Sequence, residues 1–302
     1  MLFLAQLLNG LQYGVLLFLL AAGLTLVFGI MSFVNLAHGS LYMMGAYFAA
    51  SVANSTGSFM LGLLAAVVGC LALGVLLERV AVSRLYGRDH LNHVLATFGL
   101  IMFFNELASM LWGKQPLFVS VPSVLEGSIN LLGLQYPSYR FAVIAAGLLV
   151  AVGCYLLIHK TRLGMLIRAG ANNAPMVGAL GVNIKFLNAL LFAVGAALAG
   201  LAGAVAGPIL SVQAGMGEPV LIATFVVIVI GGIGSVKGAF YSALIVGVVD
   251  TMGRAFLPTL LREMTSRQLA DAAGPALASL LIYLLMATVL ALRPQGLFTA
   301  KR

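Results

Sequence analysis

Charge is scarce in this sequence. Its 302 residues include 16 Lys and Arg and 8 Asp and Glu, so charged residues make up 8% of the chain, against about 25% in ordinary globular domains. Hydrophobic residues make up 62%, and the mean hydropathy is +1.11. A soluble domain of this length cannot bury so much apolar surface, which excludes soluble folds. The net charge of +8 does not indicate nucleic-acid binding, because the basic residues are spread thinly between long apolar runs.

Cysteine and catalytic motifs are also scarce. Cys70 and Cys154 both lie in apolar runs, which predicts buried thiols rather than a disulfide. The sequence has no Cys/His metal cluster and no Gly-x-Ser-x-Gly motif. The glycine-rich stretch 231–238 lacks the Gly-Lys-Ser/Thr ending of a phosphate loop. We therefore expect no enzyme and no cofactor bound by this chain; if ATP is used, another chain must bind it.

Long apolar runs take the place of the polar–apolar alternation that is typical of outer-membrane barrels. A bilayer core of about 30 Å needs about 20 helical residues. A re-entrant segment at 30–40 would leave eight spans instead of nine. The sequence predicts one all-α polytopic membrane domain over 1–302, broken or re-entrant near 30–40 and 231–238. The nine candidate spans are 6–30, 36–54, 59–82, 91–112, 139–158, 186–210, 219–236, 238–257 and 274–292.

The distribution of basic residues predicts the orientation. Lys and Arg are absent before Arg79, so the first run is interpreted as a retained span rather than a cleaved signal peptide. By the positive-inside rule, the segments richer in Lys and Arg face the cytoplasm. This places the N-terminus outside and the C-terminus in the cytoplasm. The basic residues assigned to the cytoplasmic side are Arg79, Arg84, Arg88, Lys160, Arg162, Arg168, Lys185, Lys237, Arg293, Lys301 and Arg302.

Two candidate helices carry a small residue at every fourth position. Such a row forms one face and allows two helix backbones to approach closely. The rows predict helix packing, either inside this subunit or against a second membrane subunit. They are Gly62, Ala66, Cys70 and Gly74 in one helix, and Gly195, Ala199, Gly203 and Gly207 in the other.

The first break between apolar runs spans 29–40 and contains polar residues with almost no loop around them. Irregular backbone at membrane depth is tolerated inside the protein or along a water-filled cavity. Asn35 or Ser40 can cap the following helix. We therefore interpret Asn35, His38, Gly39 and Ser40 as lining a substrate pathway. The alternative is a tight interhelical turn in which His38 makes a structural hydrogen bond.

The second break contains Gly231, Gly232 and Gly234, which are also assigned to the pathway. Two glycine-rich breaks entering apolar helices are typical of transporters with internal repeats, so the two breaks are candidates for corresponding positions.

Ionisable residues within spans are candidates for function. Glu106 lies in the outer part of the fourth span, where it either reaches the outer interface or borders the pathway. Asp250 and Arg254 lie on one helix face, which predicts a structural ion pair.

The loop from His159 to Lys185 is too long for a simple connection. Asn172 or Asn173 can cap a short helix with Pro175 in its first turn, ending at Gly181. The apolar side of that helix would be Met176, Val177 and Leu180. It would contact either a docked partner or the lipid interface.

Four stretches in this order resemble the permease subunits of bacterial branched-chain amino acid importers driven by ATP (ABC importers), specifically the LivH type. They are 23–30 running into Asn-Leu-Ala-His-Gly at 35–39; Arg168–Asn183 followed by 195–203; 231–239; and Arg-Pro-Gln-Gly-Leu-Phe at 293–298. The resemblance covers nearly the whole chain. Urea and short-amide permeases share the Asn-x-Ala-His-Gly core, which leaves the substrate open.

The resemblance implies an assembly in the bacterial inner membrane. A second, LivM-type permease completes the pathway, and two LivG/LivF-type ATPases that use ATP and Mg²⁺ dock on the cytoplasmic side. An extracytoplasmic binding protein delivers the substrate. A self-contained secondary transporter is the alternative from another class. The resemblance makes the cytoplasmic loop the segment coupled to the ATPases, with coupling residues Arg168, Ala169, Asn173, Met176, Val177, Leu180 and Gly181.

Overall fold

The computed structural model describes residues 1–31, 33–131 and 133–298, so Ser32 of the first break and Lys301 and Arg302 of the orientation argument lie outside the described residues. A short hairpin, β1 (Ser128–Leu131) and β2 (Leu134–Pro137), interrupts an otherwise helical chain. The helices are α1 (Leu2–Met31), α2 (His38–Thr56), α3 (Phe59–Val80), α4 (His90–Trp112), α5 (Ser138–Lys160), α6 (Arg162–Ala179), α7 (Ile184–Ala206), α8 (Gly217–Gly231), α9 (Val236–Met264) and α10 (Arg267–Leu292).

Every candidate span coincides with one helix, and α6 is the additional helix in the long loop. Seven of these helices are long and apolar enough to cross a membrane, while α2 and α8 are shorter, with 19 and 15 residues. The polytopic all-α prediction is confirmed. The prediction ended the eighth span at residue 257 and began the ninth at 274. The structure extends both helices, because polar residues such as Arg262 and Asp271 end the apolar run without ending the helix.

Helix α1 forms the centre of the bundle. Its residues 15–22 are all buried, and it packs along α9 and α7. A Cβ on Gly14 would lie 2.7 Å from the carbonyl oxygen of Ala243, and one on Gly23 would lie 2.6 Å from that of Gly195. These distances are too short for any side chain. Glycine therefore allows the central helices to touch through their backbones.

The two rows of small residues pack inside this subunit. Gly62, Ala66, Cys70 and Gly74 are all buried in α3, which packs against α2 and α7. A Cβ on Gly200 of α7 would lie 2.6 Å from the Cβ of Cys70. In the α7 row, a Cβ on Gly195 would lie 3.0 Å from the carbonyl oxygen of Gly23, so the intrasubunit alternative is correct for both rows. Both cysteines are free; Cys70 is buried as predicted, whereas Cys154 is only half-buried.

The first break returns the chain into the interior. His38 begins α2, and its Nε2 donates to the carbonyl oxygen of Leu20 at 3.2 Å. Leu20 lies about 27 Å from the start of α1 and about 16 Å from its end, at 1.5 Å per residue. The chain therefore folds back from Met31 by about 16 Å before α2 starts. The predicted re-entrant segment at 30–40 is confirmed in its described part, and α2 begins well inside the bundle.

The order of elements in α1–α3 recurs in α7–α9. In each set a long helix is followed by a non-helical return, then by a shorter helix that starts inside the bundle, and then by a second long helix. The two short helices begin next to each other, since Gly39 of α2 contacts Gly217 of α8. From this shared point α2 runs alongside α7, whereas α8 runs toward the end of α1. The sets α1–α3 and α7–α9 therefore have opposite directions. This arrangement is an inverted repeat.

The repeat corrects the correspondence predicted between the two glycine-rich breaks. The counterpart of the first break is 207–216, between α7 and α8, and not 231–238. The stretch 231–238 instead corresponds to the turn between α2 and α3. Both turns place a glycine with positive φ before a serine N-cap: Gly57 (φ 70°) with Ser58, and Gly234 (φ 85°) with Ser235.

Candidate functional site

A recess opens where α2, α4 and α8 meet. It is a narrow crevice, with no room for a bound molecule as the helices stand in this structure. Its floor is formed at the shared start of α2 and α8, and one side is formed by the middle of α4. The lining is mixed: Leu36, Met43, Ile101 and Leu221 are apolar, Ser40, Asn105 and Glu218 are polar, and Gly39 and Gly217 contribute backbone.

Both short helices begin at this recess, with glycine in the first turn of each. A Cβ on Gly39 would lie 2.6 Å from the carbonyl oxygen of Gly217. The helix dipole makes the start of a helix positive. Most backbone N–H groups at these two starts already have partners in their own turns, and Pro219 in the first turn of α8 has no N–H. Two such ends meet at one point here, because α2 and α8 run in opposite directions from it. Glu218, in the first turn of α8, already places a negatively charged group near the floor of the recess, as this dipole favours.

Of the four predicted pathway residues in the first break, Gly39 and Ser40 line the recess. Asn35 and His38 are not among the residues that line it, and each is 1% exposed. Both polar atoms of the Asn35 amide, and Nδ1 of His38, have no hydrogen-bond partner among the described residues. His38 makes the structural hydrogen bond of the alternative interpretation, which attaches the start of α2 to α1.

The connector between α3 and α4, residues 81–89, and the start of α4 pack against the first break. His93 Nε2 donates to the carbonyl oxygen of Leu85 at 3.0 Å, and its ring lies 4.6 Å from that of Phe33. In the same connector the hydroxyl of Tyr86 donates to the buried carboxylate of Glu78 at 2.9 Å. Burial and this carboxylate raise the pKa of Tyr86, so the phenol stays a neutral donor. These contacts were not predicted, because their residues lie in separate helices and a loop.

On α4, the residue that reaches the recess is Asn105 and not its predicted neighbour Glu106. The side-chain amide of Asn105 donates to Oε1 of Glu218 at 2.7 Å. Glu106 is exposed and lies outside the lining. Glu218 was missed because it stands just before the seventh candidate span, which begins at residue 219. The available signal was the cluster of helix-breaking residues from Gly207-Pro208 to Gly215 and Gly217.

The predicted pathway residues Gly231, Gly232 and Gly234 lie away from the recess. The backbone N–H groups of Leu297 and Phe298 donate to the carbonyl oxygens of Ile230 and Gly231, at 2.8 and 3.2 Å. The C-terminal tail therefore covers the end of α8. Gly232 and Gly234 have φ angles of 94° and 85°, which only glycine adopts without strain. In this structure the second break is a turn packed beneath the tail.

The predicted pair in α9 is present. Nε of Arg254 donates to Oδ2 of Asp250 at 2.8 Å. The Asp250 side chain is 8% exposed and that of Arg254 is 54% exposed. The arginine thus neutralises a buried carboxylate while about half of its own side chain stays exposed. This agrees with the structural role predicted for the pair.

The long loop contains α6, which kinks at Asn173 (φ −154°, ψ 86°). Oδ1 of Asn173 accepts from the N–H of Met176 at 3.0 Å, so a second helical segment starts there, with Pro175 in its first turn. That segment ends at Ala179, and Gly181 follows with φ 89°. The predicted capped helix is confirmed. The first part of α6, which Thr161 caps, was not predicted.

Only part of the apolar side predicted for this segment lies on the surface of the chain. Met176 and Leu180 are 61% and 78% exposed, whereas Val177 is 7% exposed and packs inside the chain. Arg168, Asn173 and Gly181 are exposed and Ala169 is half-buried. Arg168 donates to the carbonyl oxygen of Ile158, which attaches α6 to the end of α5. The surface available to a partner is therefore the pair Met176 and Leu180, and Val177 is not part of it.

The chain matches a family of known transport proteins over nearly its whole length. The model of the family described as "Branched-chain amino acid transport system / permease component" matches residues 6–290. The branched-chain amino acid permease protein BraD of Pseudomonas aeruginosa is 31% identical to this chain. The match covers 98% of this chain and 95% of BraD. LivH of Escherichia coli K12 is 29% identical, and the match covers 87% of this chain and 90% of LivH.

A more distant relative comes from an archaeon. The probable permease protein LivH of Methanocaldococcus jannaschii is 26% identical, covering 80% of this chain and 78% of its own. No solved structure matches the chain. The family match, the close relatives and the helical membrane architecture agree with one another. The chain therefore belongs to the permease components of branched-chain amino acid transport systems.

Proposed function

We propose that this chain is one of two permease subunits of an ATP-driven importer for branched-chain amino acids and forms half of its translocation pathway. The observation that carries the proposal is the recess at the shared start of α2 and α8. Short helices that begin at the membrane midplane, related by an inverted repeat, mark substrate sites in other transporters. The family match and the names of the relatives agree with this function.

The lining of the recess fits a substrate with a polar head and an apolar side chain. The positive ends of α2 and α8 can receive a carboxylate. Leu36, Met43, Ile101 and Leu221 offer an apolar wall for the side chain. Urea and short amides are the alternative substrates, and they would leave most of this apolar wall unused.

We assign the coupling to separate ATPases to the second segment of α6. Met176 and Leu180 are one helical turn apart and exposed, as expected for a short helix that docks by its apolar side. ATP and Mg²⁺ would bind to those ATPases and not to this chain. With the orientation predicted from the basic residues, an extracytoplasmic binding protein would deliver the substrate to the end of the bundle that contains the start of α1.

The test is uptake by the reconstituted complex. This chain, the second permease and both ATPases are placed in proteoliposomes with ATP inside, and the binding protein and radiolabelled leucine or urea are added outside. We expect ATP-dependent uptake of leucine and none of urea. Uptake of urea alone would support the amide alternative. Uptake by this chain alone, driven by an ion gradient, would instead identify a secondary transporter.

A further inference from the structure

Glu218 presents a carboxylate deep inside the membrane. It follows Gly217, which touches Gly39, and His38 is hydrogen-bonded to the Leu20 carbonyl in the interior of α1. Glu218 is nevertheless exposed on the surface of this chain. Since α1 is about 45 Å long and Leu20 is far from both of its ends, Glu218 lies within the hydrocarbon depth of the bilayer.

A carboxylate at this depth does not face lipid, because ionised side chains in hydrocarbon are costly and instead line bundle interiors or water-filled cavities. The surface that carries Glu218 therefore borders either the transport route or another subunit. Among the described residues the ion pairs are Arg254–Asp250 and Arg262–Asp271, so that part of the chain provides no cationic partner for Glu218.

Asn105 fixes the position of this carboxylate. Its amide donates to Oε1 at 2.7 Å, from the helix on the opposite side of the recess. A hydrogen bond to an ionised acceptor is stronger than one between neutral groups. The amide uses only part of the hydrogen-bonding capacity, since a carboxylate has about four lone-pair positions. Glu218 thus keeps the ability to accept further hydrogen bonds toward the recess.

We propose that Glu218 binds the ammonium group of the transported substrate, with Asn105 as the residue that positions it. The inference rests on the proposed function, which makes the recess part of the route. An ammonium group offers three N–H donors and a full positive charge, and it would complete the carboxylate's hydrogen bonds. A zwitterion could then place its carboxylate at the positive starts of α2 and α8 and its side chain on the apolar wall. A neutral amide offers N–H donors but no charge.

The first experiment compares three variants of the complete transporter in proteoliposomes. Glu218→Gln keeps the size of the side chain and an oxygen for Asn105 but removes the charge, whereas Glu218→Asp keeps the charge. The control Glu126→Gln removes an exposed carboxylate in the segment between α4 and β1, away from the recess. We expect leucine uptake to fall about tenfold or more in Glu218→Gln, to be partly retained in Glu218→Asp, and to be unchanged in Glu126→Gln.

Two further measurements separate substrate binding from a structural role. The yield of the four-subunit complex and its midpoint of thermal unfolding should be the same in Glu218→Gln and in the wild type. Loss of the second permease during purification of Glu218→Gln would overturn the proposal and identify Glu218 as a subunit-interface residue. Leucine uptake by Glu218→Gln at the wild-type rate would also overturn it, while leaving the proposed function intact. If the wild-type complex carries urea and not leucine, the proposed function and the assignment of Glu218 both fail.

Discussion

Gly39 and Gly217 touch backbone to backbone at the one point where the two halves of the inverted repeat both begin a short helix. A Cβ on Gly39 would lie 2.6 Å from the carbonyl oxygen of Gly217. No rotamer change can relieve that clash, because the neighbouring atom belongs to the backbone. The distance between α2 and α8, and with it the shape of the recess, therefore depends on the absence of a side chain.

Gly39→Ala should consequently separate α2 from α8. We expect stability to fall by about 1–3 kcal/mol, seen as a lower midpoint of thermal unfolding in detergent, together with reduced leucine uptake. The matched control is Gly99→Ala, in the interior of α4, where an added Cβ meets no atom within 4 Å. There the midpoint should stay the same or rise, since alanine favours a helix over glycine by about 0.5–1 kcal/mol. Equal behaviour of the two variants would contradict the tight contact.

Two substitutions in α6 should fail in different ways. Leu180→Asp changes a residue that is 78% exposed, so the permease should insert and pair normally but lose its ATPases on purification. Val177→Asp changes a residue that is 7% exposed and should lower the yield of the permease itself, because an unpaired buried carboxylate costs several kcal/mol. The measurement is the ratio of ATPase to permease after affinity purification, alongside total permease in the membrane. Full ATPase retention and normal stimulated hydrolysis in Leu180→Asp would contradict the coupling assignment.

Removing the imidazole of His38 should loosen the return of the chain after α1. His38→Ala leaves the start of α2 without its hydrogen bond to Leu20, and we expect a loss of about 1–3 kcal/mol in stability. His38→Gln, which can donate to the same carbonyl, should recover part of the loss. Thermal unfolding of the purified chain measures both. Unchanged unfolding in His38→Ala would show that the hydrogen bond contributes nothing to holding α2.

The predicted orientation can be checked by labelling single cysteines. With Cys70 and Cys154 replaced by Ala, Asn172→Cys should react with a membrane-impermeant maleimide only from the cytoplasmic side, and Glu126→Cys only from outside. Both positions are exposed in the structure, so accessibility does not limit the reaction. Labelling of both cysteines from the same side would reject the topology derived from the basic residues.

Sequence patterns predicted the elements of this fold well, because the information that defines them is local. The length of each apolar run gave the spans, the four-residue spacing gave the buried face of α3, and Asn173 with Pro175 gave the start of the second segment of α6. Periodicity can place Met176, Val177 and Leu180 on one side of a short helix. It cannot show that Val177 alone turns inward, since this depends on where α6 packs.

The composition of the recess was harder to predict, for the same physical reason. Asn105 and Glu218 are separated by 113 residues along the chain and meet only because α4 and α8 both border α2. The break at 207–216 lacks the Asn and His that drew attention to 30–40, and it was not singled out from the sequence. The glycines at 231–234 were visible in the sequence, but their burial beneath the tail follows from the tertiary arrangement.

The contact between the tail and the end of α8 also sets an order of events during biosynthesis. The carbonyl oxygens of Ile230 and Gly231 receive their N–H donors from Leu297 and Phe298, more than 60 residues further along the chain. The α8 segment therefore leaves the ribosome before the groups that complete its end have been made. Until then these carbonyls must find temporary partners in water or in the insertion machinery. A nascent permease that stalls before residue 297 thus carries a helix α8 whose last carbonyl groups lack their final partners.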